Sequence, residues 1–362
     1  MKSKNNFTPF IVGKIFNPLY LKEKKFPVYK SVTIKYPSRL NAMALDPSKI
    51  AKNNNLHYSS GEMIFKVNIF KEVNIRLLDS NKIIISPDSK RPSLIKHAAL
   101  IMKKALSYDG GFEISVKEEK EIKHAGLGSS SGLISSVACA INELFACPIP
   151  KEDLLEYLAQ NHGEEIENDN NKLSPVQCIG GSAASGLYSG GMLVLAGDSR
   201  VISQMNIDPK YKVVIGIPKD FHPIDAQQLL KLEIKSFPGF ILCGKKYGQL
   251  IAYRMLHEVL PAMRENDLKT IGDLVYDYRF KMGSIKNCSY CYKNLFKIAK
   301  ELSFLKVKNI APILSVSSVG PGFFAITNKP DICLKAFKKS NLDSFIVEIY
   351  NDSYQVLNKI NL

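Results

Sequence analysis

Regular patterning begins at Val28. Polar and apolar residues alternate around Val32 and Ile34, the period-two signature of a half-buried strand, and Pro37 is expected to break that run. Two more alternating runs follow at residues 63–69 and 73–78, then a short apolar strand at 83–85. Residues 93–106 place Leu94, Ala98, Ile101, Met102 and Ala105 on one helical face, and Gly110 and Gly111 stop the helix. Phe112, Ile114 and Val116 alternate again and lead into the Gly-rich turn AGLGSSSG. Behind that turn Leu133, Ile134, Val137, Ala138, Ile141 and Leu144 recur at spacings of three and four, the buried face of a long helix.

Residues 151–166 predict another helix, started by Pro150, and a polar loop, ENDNNKLSPVQ, comes after it. The small-residue stretch CIGGSAASGLYSGG then runs straight into an apolar strand at 192–195, so a packed loop near a ligand is expected rather than a linker. The second half predicts a strand at 211–218, a long helix at 248–282 kinked or joined at Pro261, and a helix at 292–302. A strand, Gly-Pro turn and strand follow at 313–326, then a helix at 332–339 and a last strand at 344–350. Strands and helices do not strictly alternate, which points to an α+β fold rather than a doubly wound parallel sheet.

Composition leaves that picture intact. The 362 residues are 45% hydrophobic and 23% charged, ordinary for a globular chain of one large or two medium domains. No apolar run approaches the roughly 18–20 residues that span a bilayer, and the basic N-terminus is too interrupted for a signal peptide, so a cytoplasmic protein without a membrane partner is expected. The net charge is +15, from 49 Lys and Arg against 34 Asp and Glu. Most of the surplus is Lys spread along the chain, with no basic stripe interleaved with aromatics, which argues against a nucleic-acid partner. Seven cysteines, an odd count, suggest reduced thiols. Cys288 and Cys291 form a single CxxC with no second pair to complete a zinc site, so they read as structural.

The chemistry concentrates at AGLGSSSG. Gly126 and Gly128 allow a tight bend and close approach, and Ser129, Ser130 and Ser131 are N-cap candidates for the helix behind them. The first N–H groups of a helix lack internal partners and carry the positive end of its dipole. Glycines and hydroxyls opening a helix therefore make a candidate phosphate cradle.

Three stretches then occur in one order: YPSRLNAMALD, HAGLGSSSG and SVSSVGPGFFAI. Together they resemble the GHMP superfamily of small-molecule kinases. The resemblance implies a two-domain α+β fold, N-terminally like ribosomal protein S5 domain 2 and C-terminally ferredoxin-like. It divides the chain into an extension at 1–27, a phosphate-binding domain at 28–200 and a second domain at 201–362. His124 before the turn, the SxRLN opening, the SSxGP spacing and residues 257–278 are similar to the beta-ribofuranosylaminobenzene 5'-phosphate synthase branch (beta-RFAP synthase). That branch implies a Mg²⁺-dependent transferase joining phosphoribosyl pyrophosphate to a carboxylated aromatic acceptor, with loss of pyrophosphate and CO₂. The alternative is an ATP-dependent kinase acting on a small alcohol or acid through the same cradle. The triple serine favours it, whereas the loop GGSAASGLYSGG lacks the Asp that many of these kinases place there. A non-catalytic ligand-binding member is a further alternative.

The site residues follow from the resemblance. His124, Arg39 and Asp46 are the catalytic candidates. Gly126, Leu127, Gly128, Ser129, Ser130 and Ser131 bind phosphates. Asn41, Ser182, Ser185, Ser317, Ser318 and Gly320 line the substrate, and Ser129 and Glu165 hold Mg²⁺. A homodimer is implied on the same ground.

Overall fold

The early alternating runs become two long antiparallel strands, β2 (Tyr29–Ala44) and β3 (Glu62–Leu78), in a computed structural model that describes residues 8–19, 21, 23–49, 60–120 and 125–362. Pro37 does not end β2. The register slips between Pro37 and Ser38 and the strand continues to Ala44. A bulge absorbs the ladder donor that proline lacks, and it carries the chain on to Arg39 and Asn41. The expected runs at 63–69 and 73–78 are one strand, whose free edge pairs first with β8 (Met192–Ala196) and then with β5 (Gly111–Glu118). β4 (Ile83–Ile85) lies parallel to β5, and β9 (Arg200–Met205) pairs with β8. The far edge is β14 (Gln355–Asn361), a C-terminal strand absent from the sequence reading, which pairs with β2. The result is a seven-stranded sheet of order β14-β2-β3-β5-β4, with β8 and β9 branching from β3.

Helices α1 (Pro92–Ala105), α2 (Ser129–Leu144), α3 (Lys151–Gln160) and α4 (Gly181–Leu187) cover this sheet and share one apolar core with it. The helix expected over 151–166 ends at Gln160, because Glu164–Ile166 (β6) pairs with Asp169–Ser174 (β7). β7 also pairs with the short β1 (Phe10–Ile11). The stretch read as a packed loop contains α4, entered through Gly180 at φ +111°. Glycine tolerates that φ at little cost.

In the second half, β10 (Lys212–Pro218), β11 (Ile313–Val316), β12 (Phe323–Thr327) and β13 (Leu342–Glu348) form an antiparallel sheet of order β11-β12-β10-β13. The long helix starts far earlier than expected. α5 (Ala226–Arg254) is capped by the Asp225 carboxylate, which accepts from the Gln227 and Gln228 N–H groups, and it runs through Pro238. The chain then passes a π turn at Met255–Val259 into α6 (Leu260–Glu265) and α7 (Leu268–Tyr276). The region expected as a helix kinked or joined at Pro261 is joined there, with Pro261 in the first turn of α6, and is broken again where Asn266 turns left-handed at φ +57°. Helices α8 (Ser284–Cys288), α9 (Leu295–Leu302), α10 (Phe304–Val307) and α11 (Pro330–Lys339) complete the half.

A second apolar core joins the two halves. Leu40, Phe65, Leu127 and Met192 from the first pack with Val213, Ile271, Phe324 and Ile326 from the second. This seam positions the cleft. No helix among the described residues is long and apolar enough to cross a membrane.

Candidate active site

The turn before α2 is the floor of the cleft. Gly128, not a serine, is the N-cap, with φ +67° and no side-chain cap, so Ser129, Ser130 and Ser131 form the first helical turn. Their uncapped N–H groups and hydroxyls lie in the cleft lining together with Gly126 and Gly128. The two glycines are required by the protein itself. A methyl on Gly126 would collide with the Ser317 carbonyl, and one on Gly128 would meet Ser182 Oγ and the Arg39 guanidinium.

Around this floor the three sequence motifs interlock. Arg39 Nη1 donates to the Gly126 carbonyl at 2.9 Å, and Ser317 Oγ donates to the same carbonyl at 2.6 Å. Ser317 Oγ accepts from the Asn41 N–H at 2.9 Å, and the Ser318 N–H donates to the Asn41 carbonyl at 3.0 Å. Arg39 Nε is buried in the cleft wall without a hydrogen-bond partner, a donor left for a ligand. Ser131 Oγ donates to Ser182 Oγ at 2.7 Å and ties α2 to the first turn of α4.

Of the residues singled out in the sequence, Arg39, Asn41, Gly126, Gly128, Ser129, Ser130, Ser131, Ser182, Ser318 and Gly320 line the cleft. The others sit elsewhere. Leu127 packs into the core between the halves. Ser185 is buried and donates to the Ser182 carbonyl at 2.8 Å. Ser317 is fully buried and braces the floor from behind. Asp46 accepts from the Ser48 N–H at 3.0 Å and the Ser48 hydroxyl at 2.6 Å, closing the turn at Pro47 away from the cleft. His124 lies outside the described residues.

The sequence reading missed Glu62, Arg91, His162 and Glu233, and weighed Glu164 with Glu165 as a solvated helix end; Glu164 lines the cleft. Glu62 is almost fully buried in the cleft wall. It accepts from the Gly181 N–H at 2.6 Å and from Asn41 Nδ2. Its one sequence signal is a carboxylate immediately before the apolar triplet Met63, Ile64 and Phe65 that opens β3. Glu233 reaches the cleft from the start of α5. Burial pushes its carboxyl up to about 7, the nearby Tyr290 hydroxyl opposes this, and the Glu164 charge adds to it.

Glu165 does not face an open metal position. Arg91 Nε lies 2.9 Å from Glu165 Oε1, and Arg91 Nη2 lies 3.6 Å from Glu164 Oε2. On its other side the guanidinium donates to Ser129 Oγ at 3.2 Å and to Ser130 Oγ. The two groups that the resemblance assigns to Mg²⁺ are therefore bridged by a buried arginine. A divalent ion about 4 Å from that guanidinium would meet repulsion of about 8 kcal/mol at the effective dielectric of a protein surface. Ser129 and Glu165 do not fit a metal as arranged, and no group of three or more His, Cys, Asp or Glu among the described residues is gathered to hold one.

A Gly-turned, uncapped helix N-terminus at the seam of an α+β pair offers unpaired N–H groups of the kind that suit an anion. Residues 93–174 match the family model described as GHMP kinases N terminal domain. Solved structures of the same fold include homoserine kinase from Cytophaga hutchinsonii, at 17% identity over 94% of this chain and 100% of that one, with a TM-score of 0.56. L. major mevalonate kinase in complex with R-mevalonate is 13% identical over 91% of this chain and 99% of that one, with a TM-score of 0.59. Lactococcus lactis galactokinase complexed with galactose is 13% identical over 91% and 95%, with a TM-score of 0.66. No curated protein matches the chain by sequence. The chain has the mixed α+β GHMP fold.

Proposed function

We propose that the cleft transfers a phosphoryl group from ATP to a hydroxyl or acid group of a small molecule. The observation that carries this is the uncapped start of α2, which aims Ser129, Ser130 and Ser131 into one cleft with Arg39 and the Ser318–Gly320 loop. Phosphoryl transfer asks little covalent chemistry of a protein and much positioning and charge stabilisation. Such an array supplies both.

In the reaction the acceptor oxygen bonds to the γ-phosphorus and the bond from that phosphorus to the bridging oxygen breaks. ADP leaves with the bond's electron pair. The helix N–H groups and the Arg39 guanidinium stabilise charge on the phosphate oxygens. The acceptor's proton passes to Glu233, whose carboxyl titrates at about 7 and so suits a base at neutral pH. This places a base in the cleft although the loop at 180–191 has no carboxylate.

The phosphoribosyl pyrophosphate reading draws no support from the neighbouring structures, two of them sugar or mevalonate kinases and one a homoserine kinase. Part of its sequence basis also has another account. Within residues 257–278, Val259, Ala262, Met263, Leu268, Ile271, Leu274, Val275 and Tyr278 pack in the core between the halves, and none of that segment lines the cleft. Packing explains the pattern there.

Thermal melting of the full chain with ATP or with phosphoribosyl pyrophosphate, each with and without Mg²⁺, tests the assignment. A ligand that binds only the native state at about 100 times its dissociation constant adds roughly 2.7 kcal/mol. Stabilisation by ATP is expected. Stabilisation by phosphoribosyl pyrophosphate alone would overturn the kinase reading and restore the transferase.

A further inference from the structure

Arg91 is a buried cation held on both sides. It precedes Pro92 at the head of α1 in a left-handed conformation, φ +60° and ψ +52°. A non-glycine residue held there carries strain that persists only where its surroundings over-determine it. Its side chain is 1% exposed, so the guanidinium is held by its partners and not by water. Those partners are the Ser129 and Ser130 hydroxyls on one side and Glu164 and Glu165 on the other.

The hydroxyls matter most. A serine that accepts from a guanidinium still has its own proton to donate. With Arg91 behind them, Ser129 and Ser130 keep an O–H for the cleft, where phosphate oxygens are acceptors only. Arg91 itself does not line the cleft. Two further cations converge on the same helix turn. Arg39 borders Gly128, and the buried Lys71 lies beneath Gly132, paired with Glu118 at 3.7 Å.

We infer that Arg91, rather than a divalent ion held by Ser129 and Glu165, is the resident cation of the cradle, orienting the two serine hydroxyls as donors to the ligand's phosphates. Glu164 and Glu165 are then the carboxylates that hold Arg91 in place. Arg91 acts through the serines and is a positioning residue. The inference rests on the phosphate-cradle reading above, and its test separates the two.

Calorimetric titration of ATP into the full chain, in excess EDTA and in excess Mg²⁺, is the first arm. Wild type is expected to bind with similar affinity in both, differing by about threefold or less, and Arg91→Gln to lose about tenfold or more in both, because a charge-assisted donor network is removed. Arg91→Lys restores part of the loss. Mn²⁺ paramagnetic resonance is the second arm. Any ion seen with ATP should be held equally by wild type and Glu165→Gln. If wild type binds ATP only with metal, or Glu165→Gln releases the ion, Ser129 and Glu165 are a metal site and the inference on Arg91 is wrong while the cradle stands. If ATP binds under no condition, the cradle reading fails and the inference with it. The wild-type titration and the Mn²⁺ spectra decide the matter even where Arg91→Gln does not fold.

Discussion

Replacing Glu233 by Gln separates two consequences of one perturbed carboxyl. The group moves from its ordinary 4.5 to about 7, through burial first and the Glu164 charge as a lesser cause, against the influence of the nearby Tyr290 hydroxyl. Cys288 at the end of α8, and Tyr290 and Cys291 in the α8–α9 connection, also face it, all with their own titrations pushed upward by burial and so neutral near pH 7. The native state therefore binds the Glu233 proton more tightly than the unfolded chain. Stability from this group is fully present below pH 4.5 and is lost as pH rises through about 7. At 1.36 kcal/mol per pH unit the displacement is worth about 3 kcal/mol, and solvent in the open cleft reduces it to about 1–2 kcal/mol. Gln cannot ionise, so Glu233→Gln should gain about 1–2 kcal/mol on wild type between acid and pH 8. Urea unfolding of both proteins at two pH values on either side of the window reads this directly. Phosphorylation rates read the other consequence. Wild-type turnover should fall as pH drops below about 7, and the Gln variant should be slow and flat with pH. Parallel stability profiles for the two proteins would refute the burial argument. A Gln variant with an unchanged rate profile would remove Glu233 from the proton transfer.

Two further substitutions probe the floor of the cleft. Gly126→Ala places a methyl on the Ser317 carbonyl at a φ of +88°, and should destabilise the fold by about 2–4 kcal/mol in urea unfolding while abolishing the ATP-induced melting shift; a loss below about 0.5 kcal/mol would show the junction to be loose. Ser317→Ala strands the buried Asn41 N–H and one acceptor position of Gly126, so a cost of about 1–3 kcal/mol is expected with weaker ATP binding by calorimetry, and unchanged binding would detach the late Gly-Pro loop from the cradle.

Much of the fold was legible because period signals are local. The alternation at Val32 and Ile34 and the three-four spacing behind Ser131 are β2 and α2 as built. What misled was punctuation overridden by tertiary structure. Pro37 reads as a breaker, yet it sits at a bulge, and the helix expected to begin at 248 begins at Ala226 and runs through Pro238 for 29 residues. β14 has no buried residue, so its alternation carries no core signal. Its identity lies in its pairing with β2, more than 300 positions away in the chain.

The site shows the same division more sharply. The glycines and serines of the turn could be found because a helix start has a sequence signature. The carboxylates could not, because what matters about Glu62 and Glu233 is burial beside a cleft, and burial is set by the seam between the halves. The Arg91 position is a stronger case. A lone arginine before Pro92 looks like a surface residue at a helix start, and Glu164 and Glu165 look like a solvated helix end. Folding α1, α2 and β6 together brings these bland positions around Ser129 and Ser130. That assembly, and not the turn motif alone, decides which charge meets a bound phosphate. It is also where this chain's own chemistry departs from what resemblance implies: the residues assigned to a metal are the ones an arginine already joins.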